Sequence, residues 1–358
     1  MTQARDRRHL WRLIAADRFL RFGPVQASPR YHKRVQLTDA LHAASGWVHP
    51  VKPMPMPEVD ASDLDYEGLL EITDNLRRSV VLRGARPQCR AVQTWTESYL
   101  RQKLGEHTFT FVGSEVDPAQ RSNDTRWGVE RMTFSRFLDR MSSEPLYLNN
   151  DALFAEACPA LVADLELPEI RARFTDPRSR WDQLITTQVF ISSSLAHSPL
   201  HAANSGNFFL QIRGRKTWTF VDPCHTLDVF PVLARPALYA VSHYGGWREV
   251  SADHALFCLP RYTTTLEPGD MLYNAPWWWH EVTNSGDLSI GCALRHMPPP
   301  FRGSPSWRTQ PQLTALSTYP IGRALSYLHC ALQRVLGVKR PLRDVFNPVL
   351  TRRVNKSH

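Results

Sequence analysis

Two histidines in the second half of the chain stand in surroundings that suit metal chemistry. His201 lies in a segment with β character, and His280 follows the apolar run Pro276-Trp277-Trp278-Trp279. Alternate residues of a β-strand project from one face, so a histidine and a carboxylate two positions apart can bind one ion. Here the residue two positions after His201 is Ala203, which cannot bind a metal. A pair of imidazoles without an acidic neighbour is therefore the first feature to explain.

The segments around these histidines resemble a known family. The first runs from Ser198-Pro199-Leu200-His201 to Asn207-Phe208-Phe209-Leu210-Gln211-Ile212-Arg213-Gly214-Arg215-Lys216, and the second from Glu267-Pro268-Gly269-Asp270-Met271-Leu272-Tyr273 to Trp278-Trp279-His280. In residue type, spacing and order both are similar to the metal-binding strands of the JmjC, cupin-8-like group of non-haem Fe(II), 2-oxoglutarate-dependent oxygenases. The factor-inhibiting asparaginyl hydroxylases of the hypoxia pathway belong to that group. The resemblance extends over residues 64–297.

The resemblance implies a role for each matching residue. His201 and His280 take the places of the two iron-binding histidines, with 2-oxoglutarate and O₂ as co-substrates. Lys216 takes the place of the lysine that pairs with the distal carboxylate of 2-oxoglutarate, a role that suits a compact ammonium group. Its alternation with Trp218 and Phe220 predicts that it points inward. Further co-substrate contacts are implied at Ser198, Asn207 and Tyr147.

Ala203 departs from the family pattern, in which a carboxylate completes the metal site. The first interpretation is that a halide fills the vacant place, as in Fe(II), 2-oxoglutarate-dependent halogenases of other subfamilies, which carry Ala or Gly there. Chloride would then bind beside the metal in a halide pocket at Ala203, and the enzyme would chlorinate an unactivated C–H bond. This interpretation predicts that an acidic residue at position 203 abolishes chlorination.

Two other interpretations stay open. Water or a nearby group, such as Asn204, Glu281 or part of the substrate, would complete the coordination and leave a peptide or protein side-chain hydroxylase. Alternatively, the protein keeps the barrel without catalysis and acts as a binding or scaffold protein. The retention of Lys216 and Asn207 argues against simple decay, because a protein that has lost its activity has no reason to keep an anion-binding lysine.

The elements that must position these residues are mainly strands. Helical periodicity precedes residue 183, short apolar and β-branched segments follow it, and helical periodicity returns over 313–338. We therefore predict a mainly β fold, a double-stranded β-helix of the jelly-roll, cupin type with N-terminal and C-terminal helices. The predicted regions are an N-terminal helix and Pro-rich linker (1–63), the catalytic barrel (64–300) and a C-terminal helical extension (301–358). Within the barrel, Arg213-Gly214-Arg215 predicts a hairpin turn.

Composition excludes several other classes of protein. The 358 residues include six scattered cysteines and no long apolar run, which argues against a zinc or disulfide framework and against a transmembrane segment. With no secretory signal apparent, we expect a cytoplasmic protein. The net charge of +9 suits an acidic partner. We predict a small-molecule, peptide or carrier-protein substrate such as an amino acid or a carrier-tethered residue, no nucleic acid, and a homodimer contact through the C-terminal helix.

Overall fold

The structure is a computed structural model that describes residues 2–20, 25–47, 49–115, 127–149, 158–176, 184–233, 239–296 and 304–317. The helices in these ranges are α1 (Thr2–Leu20), α2 (Tyr31–Ser45), α3 (Tyr66–Ile72), α4 (Arg90–Thr94), α5 (Glu97–Leu104), α6 (Phe134–Arg140), α7 (Pro159–Ala163), α8 (Leu167–Phe174), α9 (Pro305–Thr309) and α10 (Pro311–Leu316). Short 3₁₀ turns occupy Val25–Ala27, Pro223–His225 and Ala255–Cys258.

Fourteen strands in the described ranges form one continuous sheet. They are β1 (Met54–Pro55), β2 (Glu58–Asp60), β3 (Val80–Arg83), β4 (Thr108–Glu115), β5 (Trp127–Thr133), β6 (Tyr147–Asn149), β7 (Leu184–Ser192), β8 (His197–Ala203), β9 (Gly206–Val221), β10 (Pro231–Leu233), β11 (Tyr239–Ser242), β12 (Tyr262–Leu266), β13 (Met271–Asn274) and β14 (Trp279–His296). The predicted fold class, mainly β with helical additions, is confirmed.

The sheet folds into two layers, and strands β9 and β14 are long enough to belong to both of them. The first half of β9 pairs with β13 and the second half with β12, while β14 runs antiparallel to β9 along both halves. The first half of β14 also pairs with β8, and its second half with β7. The β8 side continues to β11 and β10, and the β7 side to β6, β4 and β5. This sharing of two strands folds the sheet over one interior.

The hairpin predicted at Arg213-Gly214-Arg215 is wrong. Strand β9 passes through this point without reversing, because both of its halves pair with β14 and not with each other. Gly214 has φ +62°, and a Cβ there would lie 2.4 Å from the carbonyl oxygen of Leu288. The glycine therefore marks a bend with a register shift, where β9 changes layers, and the sequence pattern of such a bend is the same as that of a turn.

The interior face of the barrel follows from the register. On β9, Lys216, Trp218 and Phe220 alternate, and their partners on β14 are Asn284, Val282 and His280. Paired residues on neighbouring strands project from the same face, so all six side chains point the same way.

The outer face of β8 and β11 is covered by the N-terminal helices. Leu200 and Ala202 of β8 and Ala240 of β11 are buried in one apolar cluster with Leu10 and Ile14 of α1. The alternate residues of β8 keep partial exposure, because they face the interior of the barrel. Helix α2, within the predicted region 1–63, was not recognised from the sequence because its apolar residues are few and interrupted by basic ones.

The predicted C-terminal helix over 313–338 lies almost wholly outside the described residues, and so does most of the region 301–358. The described part contains α9 and α10. None of the described helices combines the length and the apolar character needed to cross a membrane.

A buried ion pair fixes the N-terminal helices to the barrel. Arg34 of α2 lies 2.9 Å from Asp17 of α1, and both side chains are almost fully buried. The second Nη atom of Arg34 donates a hydrogen bond of 2.6 Å to the carbonyl of Pro231 in β10. We expect Asp17→Asn to lower the free energy of unfolding by about 3–5 kcal/mol, because it leaves a buried arginine without its counter-charge.

The matched control for this variant is Arg30→Met. Arg30 pairs with the same carboxylate at 3.5 Å but is partly exposed, so its loss should cost less than about 1 kcal/mol. Urea denaturation followed by circular dichroism measures both changes. Equal effects of the two substitutions would contradict the assignment of the buried pair as the anchor.

Candidate active site

The pairing of β8 with β14 places His201 directly opposite His280. Their ring centroids are 4.2 Å apart. The register then slips by one residue, since Val282 lies opposite Ser198 and not opposite Pro199. This bulge adds one residue to β8. Ser198 therefore faces the interior together with His201, although the two residues are three positions apart.

Backbone carbonyls orient both imidazoles. Nδ1 of His201 lies 2.8 Å from the carbonyl of Pro199, and Nδ1 of His280 lies 2.9 Å from the carbonyl of Trp278. A carbonyl oxygen only accepts, so each Nδ1 carries the proton and each Nε2 keeps its lone pair. Burial lowers the pKa of His201 to about 4 and that of His280 well below its ordinary value. Both rings are therefore neutral at physiological pH, the form that binds a metal.

No acidic side chain of the described residues joins this pair. Ala203 shares the inner face with His201, and its carbonyl accepts a hydrogen bond of 2.6 Å from the amide of Trp277. The described part of the chain contains no group of three or more His, Cys, Asp or Glu side chains arranged for a metal ion. The histidines are thus a two-nitrogen site.

Glu281 does not complete the site. It follows His280 on β14 and therefore projects from the opposite face of the strand. Its Oε2 accepts a hydrogen bond of 2.7 Å from the amide of Trp247. His197 also lies apart from the histidine pair, because its Nε2 lies 3.4 Å from a carboxylate oxygen of Glu249.

Lys216 forms a second feature of the interior. Its side chain is buried, its Nζ donates a hydrogen bond to Oδ1 of Asn284, and it lies 5.6 Å from the ring centre of Tyr147. Tyr147 is hydrogen-bonded to Ser198, and burial raises its pKa to about 12. The structure therefore brings together three of the four residues predicted to bind the co-substrate. The groups named here around the Lys216 ammonium are all neutral.

Aromatic side chains separate the lysine from the histidines. Trp218 stacks on His280 at 5.3 Å and meets Phe209 edge-on at 5.0 Å. Phe190 packs on the other side of Phe209, and Phe220 lies 5.9 Å from His280. This apolar shell restricts water around the metal-binding nitrogens.

Asn207, the fourth predicted co-substrate residue, lies on the first half of β9. It pairs with Asn274 of β13, whose amide nitrogen lies 3.3 Å from Nδ1 and 3.5 Å from Nε2 of His280. Because Nδ1 carries the proton, Nε2 is the atom that accepts from this amide. Two buried polar atoms of this interior have no hydrogen-bond partner among the described residues: Oδ1 of Asn207 and Nε1 of Trp218. Such atoms are costly to bury, and water or a ligand in the interior would satisfy them.

Sequence reasoning missed Arg295. This residue lies opposite Asn207 across β9 and β14, and its Nε donates a hydrogen bond of 3.0 Å to Oε1 of Gln188. Its positive charge is a cause, smaller than burial, of the lowered pKa of both His201 and His280. The sequence signal that could have found Arg295 is its position directly after the apolar residues Cys292, Ala293 and Leu294.

The residues present fit a ferrous ion and 2-oxoglutarate. Two oriented neutral imidazoles supply nitrogen ligands for iron. Buried Lys216 needs a counter-anion, and a carboxylate between it, Tyr147 and Ser198 would provide one. The unpartnered atoms of Asn207 and Trp218 would give a bound co-substrate further polar contacts.

Comparisons with known proteins agree with this geometry. The model of the family described as cupin-like domain matches residues 75–294, which is more than half of the chain. Jumonji C domain-containing protein 5 of Drosophila melanogaster is 26% identical over 205 residues, 54% of this chain and 48% of that protein. tRNA wybutosine-synthesizing protein 4 of Gibberella zeae is 27% identical over 244 residues, 64% of this chain and 22% of that protein.

A third relative is the HSPB1-associated protein 1 homolog of Danio rerio, 30% identical over 105 residues, 28% of this chain and 23% of that protein. The chain thus matches less than half the length of each of these curated relatives. The likeness to asparaginyl hydroxylases in particular stays a prediction. The family match includes His201, Lys216 and His280 on the strands described above, and the chain belongs to the cupin-like domain family, with a Jumonji C protein among its relatives.

Proposed function

We propose that the protein is an Fe(II), 2-oxoglutarate-dependent oxidoreductase that acts on an unactivated C–H bond, and that it halogenates its substrate. The observation that carries the proposal is the pair of opposed neutral imidazoles in an interior that also holds a buried lysine, with Ala203 where an acidic ligand would stand. His201 and His280 would hold the iron. The bound iron would supply the redox chemistry that couples O₂ and 2-oxoglutarate to the cleavage of a C–H bond.

The other residues prepare this chemistry. Lys216, with Tyr147 and Ser198, binds and orients the distal carboxylate of 2-oxoglutarate. The aromatic residues around Trp218 exclude water from the metal-binding nitrogens. Ala203 contributes volume, because its methyl group leaves room for a chloride ion on the inner face. The substrate is an amino acid, a peptide or a carrier-tethered residue, and residues of β11 such as Tyr239 line its approach, since Tyr239 lies opposite Ala203.

The overall reaction balances with co-substrates that the proposal names. The substrate loses a hydrogen and gains chlorine from chloride, and 2-oxoglutarate is oxidised by O₂ to succinate and CO₂. One oxygen atom enters succinate, and the other leaves as water after taking up the substrate hydrogen and one proton. The oxidant is O₂ throughout, and no other reductant is required.

Hydroxylation is the second candidate. Asn204 is buried directly after Ala203, and its Nδ2 has no hydrogen-bond partner among the described residues. An amide nitrogen is a donor and does not bind a metal, so in a hydroxylase a water molecule or a substrate group would complete the coordination. A scaffold role explains less, because it gives no reason to bury Lys216 among neutral groups at the cost of desolvation.

The first prediction concerns metal binding. We expect His201→Ala and His280→Ala each to weaken binding of Co(II), a stand-in for Fe(II), by about tenfold or more, because each removes one of two nitrogen ligands. Isothermal titration calorimetry measures the affinity. His197→Ala is the matched control, since this nearby histidine contacts Glu249 instead. Unchanged affinity in the His201 variant would exclude the assigned site.

The second prediction separates the two reactions. Protein reconstituted with Fe(II) under anaerobic conditions, given 2-oxoglutarate, chloride and a candidate substrate, should on admission of O₂ form succinate and a chlorinated product. Mass spectrometry detects both. Ala203→Asp should abolish chlorination, because the carboxylate takes the place of the halide. Oxygen insertion that is indifferent to chloride in the unaltered protein would favour the hydroxylase instead.

The third prediction concerns pH. Burial lowers the pKa of Lys216 to about 7, so the ammonium form that binds a carboxylate is lost as the pH rises through that value. The Kd for 2-oxoglutarate should therefore rise above pH 7, approaching about tenfold per pH unit. Lys216→Arg should flatten this dependence, because a guanidinium stays protonated. A Kd independent of pH from 6 to 9 in the unaltered protein would refute the lowered pKa of Lys216, and a Kd left unchanged by Lys216→Ala would refute its role in binding.

A further inference from the structure

Asn284 is the residue through which the barrel holds the Lys216 ammonium. It lies opposite Lys216 in the register of β14 with β9, and both side chains are buried on the inner face. Oδ1 of Asn284 accepts a hydrogen bond from Nζ of Lys216, and no other acceptor among the described residues does so. An ammonium has three N–H donors, so two remain for a ligand.

The orientation of the Asn284 amide is fixed by two partners of opposite kind. Its Nδ2 donates a hydrogen bond of 2.6 Å to the carbonyl of Ala196, which can only accept. Nζ of Lys216 can only donate, so Oδ1 must face it. Ala196 directly precedes β8, the strand that carries Ser198. The amide thus connects the lysine on β9 to the backbone that leads into the strand of Ser198.

A neutral acceptor holds the lysine without using its charge. Burial is the cause of the lowered pKa of Lys216, and no carboxylate of the described residues opposes that effect. An aspartate in the place of Asn284 would have almost the same size and would form an internal ion pair with the ammonium. That pair would compete with any carboxylate that enters the barrel, whereas the amide does not compete.

We propose that Asn284 is a positioning residue for the co-substrate, because its amide holds Lys216 in place and leaves the ammonium charge to a carboxylate from solution. The inference rests on the proposed function, since the anion concerned is the distal carboxylate of 2-oxoglutarate. Asn284 acts through Lys216 and does not have to touch the co-substrate itself. The charge of the side chain at position 284 therefore decides whether the barrel binds a dicarboxylate.

Stability and affinity should respond to a carboxylate at this position in opposite directions. A buried ammonium without a counter-charge lowers the stability of the free protein. A carboxylate at position 284 would supply the counter-charge, and it would at the same time occupy the group that binds 2-oxoglutarate. A residue with only a structural role behaves differently, because its replacement weakens folding and binding together.

The test compares Asn284→Asp with the unaltered full-length protein, both loaded with Co(II), at about pH 6, where the ammonium form of Lys216 predominates. We expect the melting temperature without 2-oxoglutarate to stay the same or to rise. We expect the Kd for 2-oxoglutarate to rise by about a hundredfold or more, because the new carboxylate neutralises the ammonium and repels the ligand. Differential scanning calorimetry measures the first quantity, and isothermal titration calorimetry measures the second.

Ser285→Asp is the matched control. It adds the same charge one residue further along β14, where the side chain is exposed to solvent. Solvent and salt screen a charge in that position, so the Kd should change by less than about twofold. Asn284→Ala separates the hydrogen bond from the charge: we expect it to raise the Kd by about tenfold, less than Asn284→Asp, because it removes the acceptor without adding a competing anion.

Three results would overturn the inference. The first is a Kd that Asn284→Asp leaves unchanged. The second is a fall in melting temperature together with a Kd raised by less than about tenfold, which would make Asn284 a structural residue. The third is an alanine variant that binds 2-oxoglutarate more weakly than the aspartate variant. Unaltered protein that binds Co(II) but not 2-oxoglutarate would contradict the proposed function itself, and the inference with it.

A further measurement does not depend on the folding of any variant. Crystals of the unaltered Co(II)-loaded protein grown with 2-oxoglutarate should show Nζ of Lys216 bonded both to Oδ1 of Asn284 and to a carboxylate oxygen of the co-substrate. A complex in which the lysine binds the carboxylate only after leaving Asn284 would overturn the assignment of Asn284 as the residue that positions it.

Discussion

The register between β8 and β14 is the constraint on which the rest of the site depends. It sets His201 opposite His280, and the bulge that follows turns Ser198 to the same side. A slip of one residue would send the imidazole of His201 to the outer face, among the apolar side chains under the N-terminal helices. The outer face carries Leu200 and Ala202, which are fully buried there, so a shifted register would place a polar ring in an apolar cluster and expose two apolar residues. The site geometry is therefore held by hydrophobic packing on the opposite face of the strand.

Charge is the second organising principle of the interior. Lys216 is fully buried and Arg295 is half-buried, and the neighbours that the structure shows around them are neutral. Burial of the lysine ammonium opposes folding, and an anionic ligand would relieve the cost. Such a site lowers the stability of the free protein and raises its affinity for anions, because the cationic groups are in position before the ligand arrives.

The sequence predicted the direction of the Lys216 side chain better than the path of the chain around it. The alternation of Lys216 with Trp218 correctly oriented the lysine, because strand periodicity is a local property. The turn at Gly214 was wrong, since a glycine bend within one long strand and a hairpin have the same local pattern. Whether the chain reverses there depends on β14, which pairs with both halves of β9. Helix α2 lacked a strong periodic signal, because it is stabilised by tertiary contacts such as that of Arg34 with Asp17.

Arg295 shows what local patterns cannot provide. An arginine at the end of an apolar strand is equally compatible with a surface position, and only the register with Asn207 places it inside the barrel. Its Nε donates a hydrogen bond to Gln188 of β7, which lies 107 residues earlier in the chain. The surroundings of such a side chain are set by the pairing of strands that are far apart in sequence, so no window of neighbouring residues predicts them.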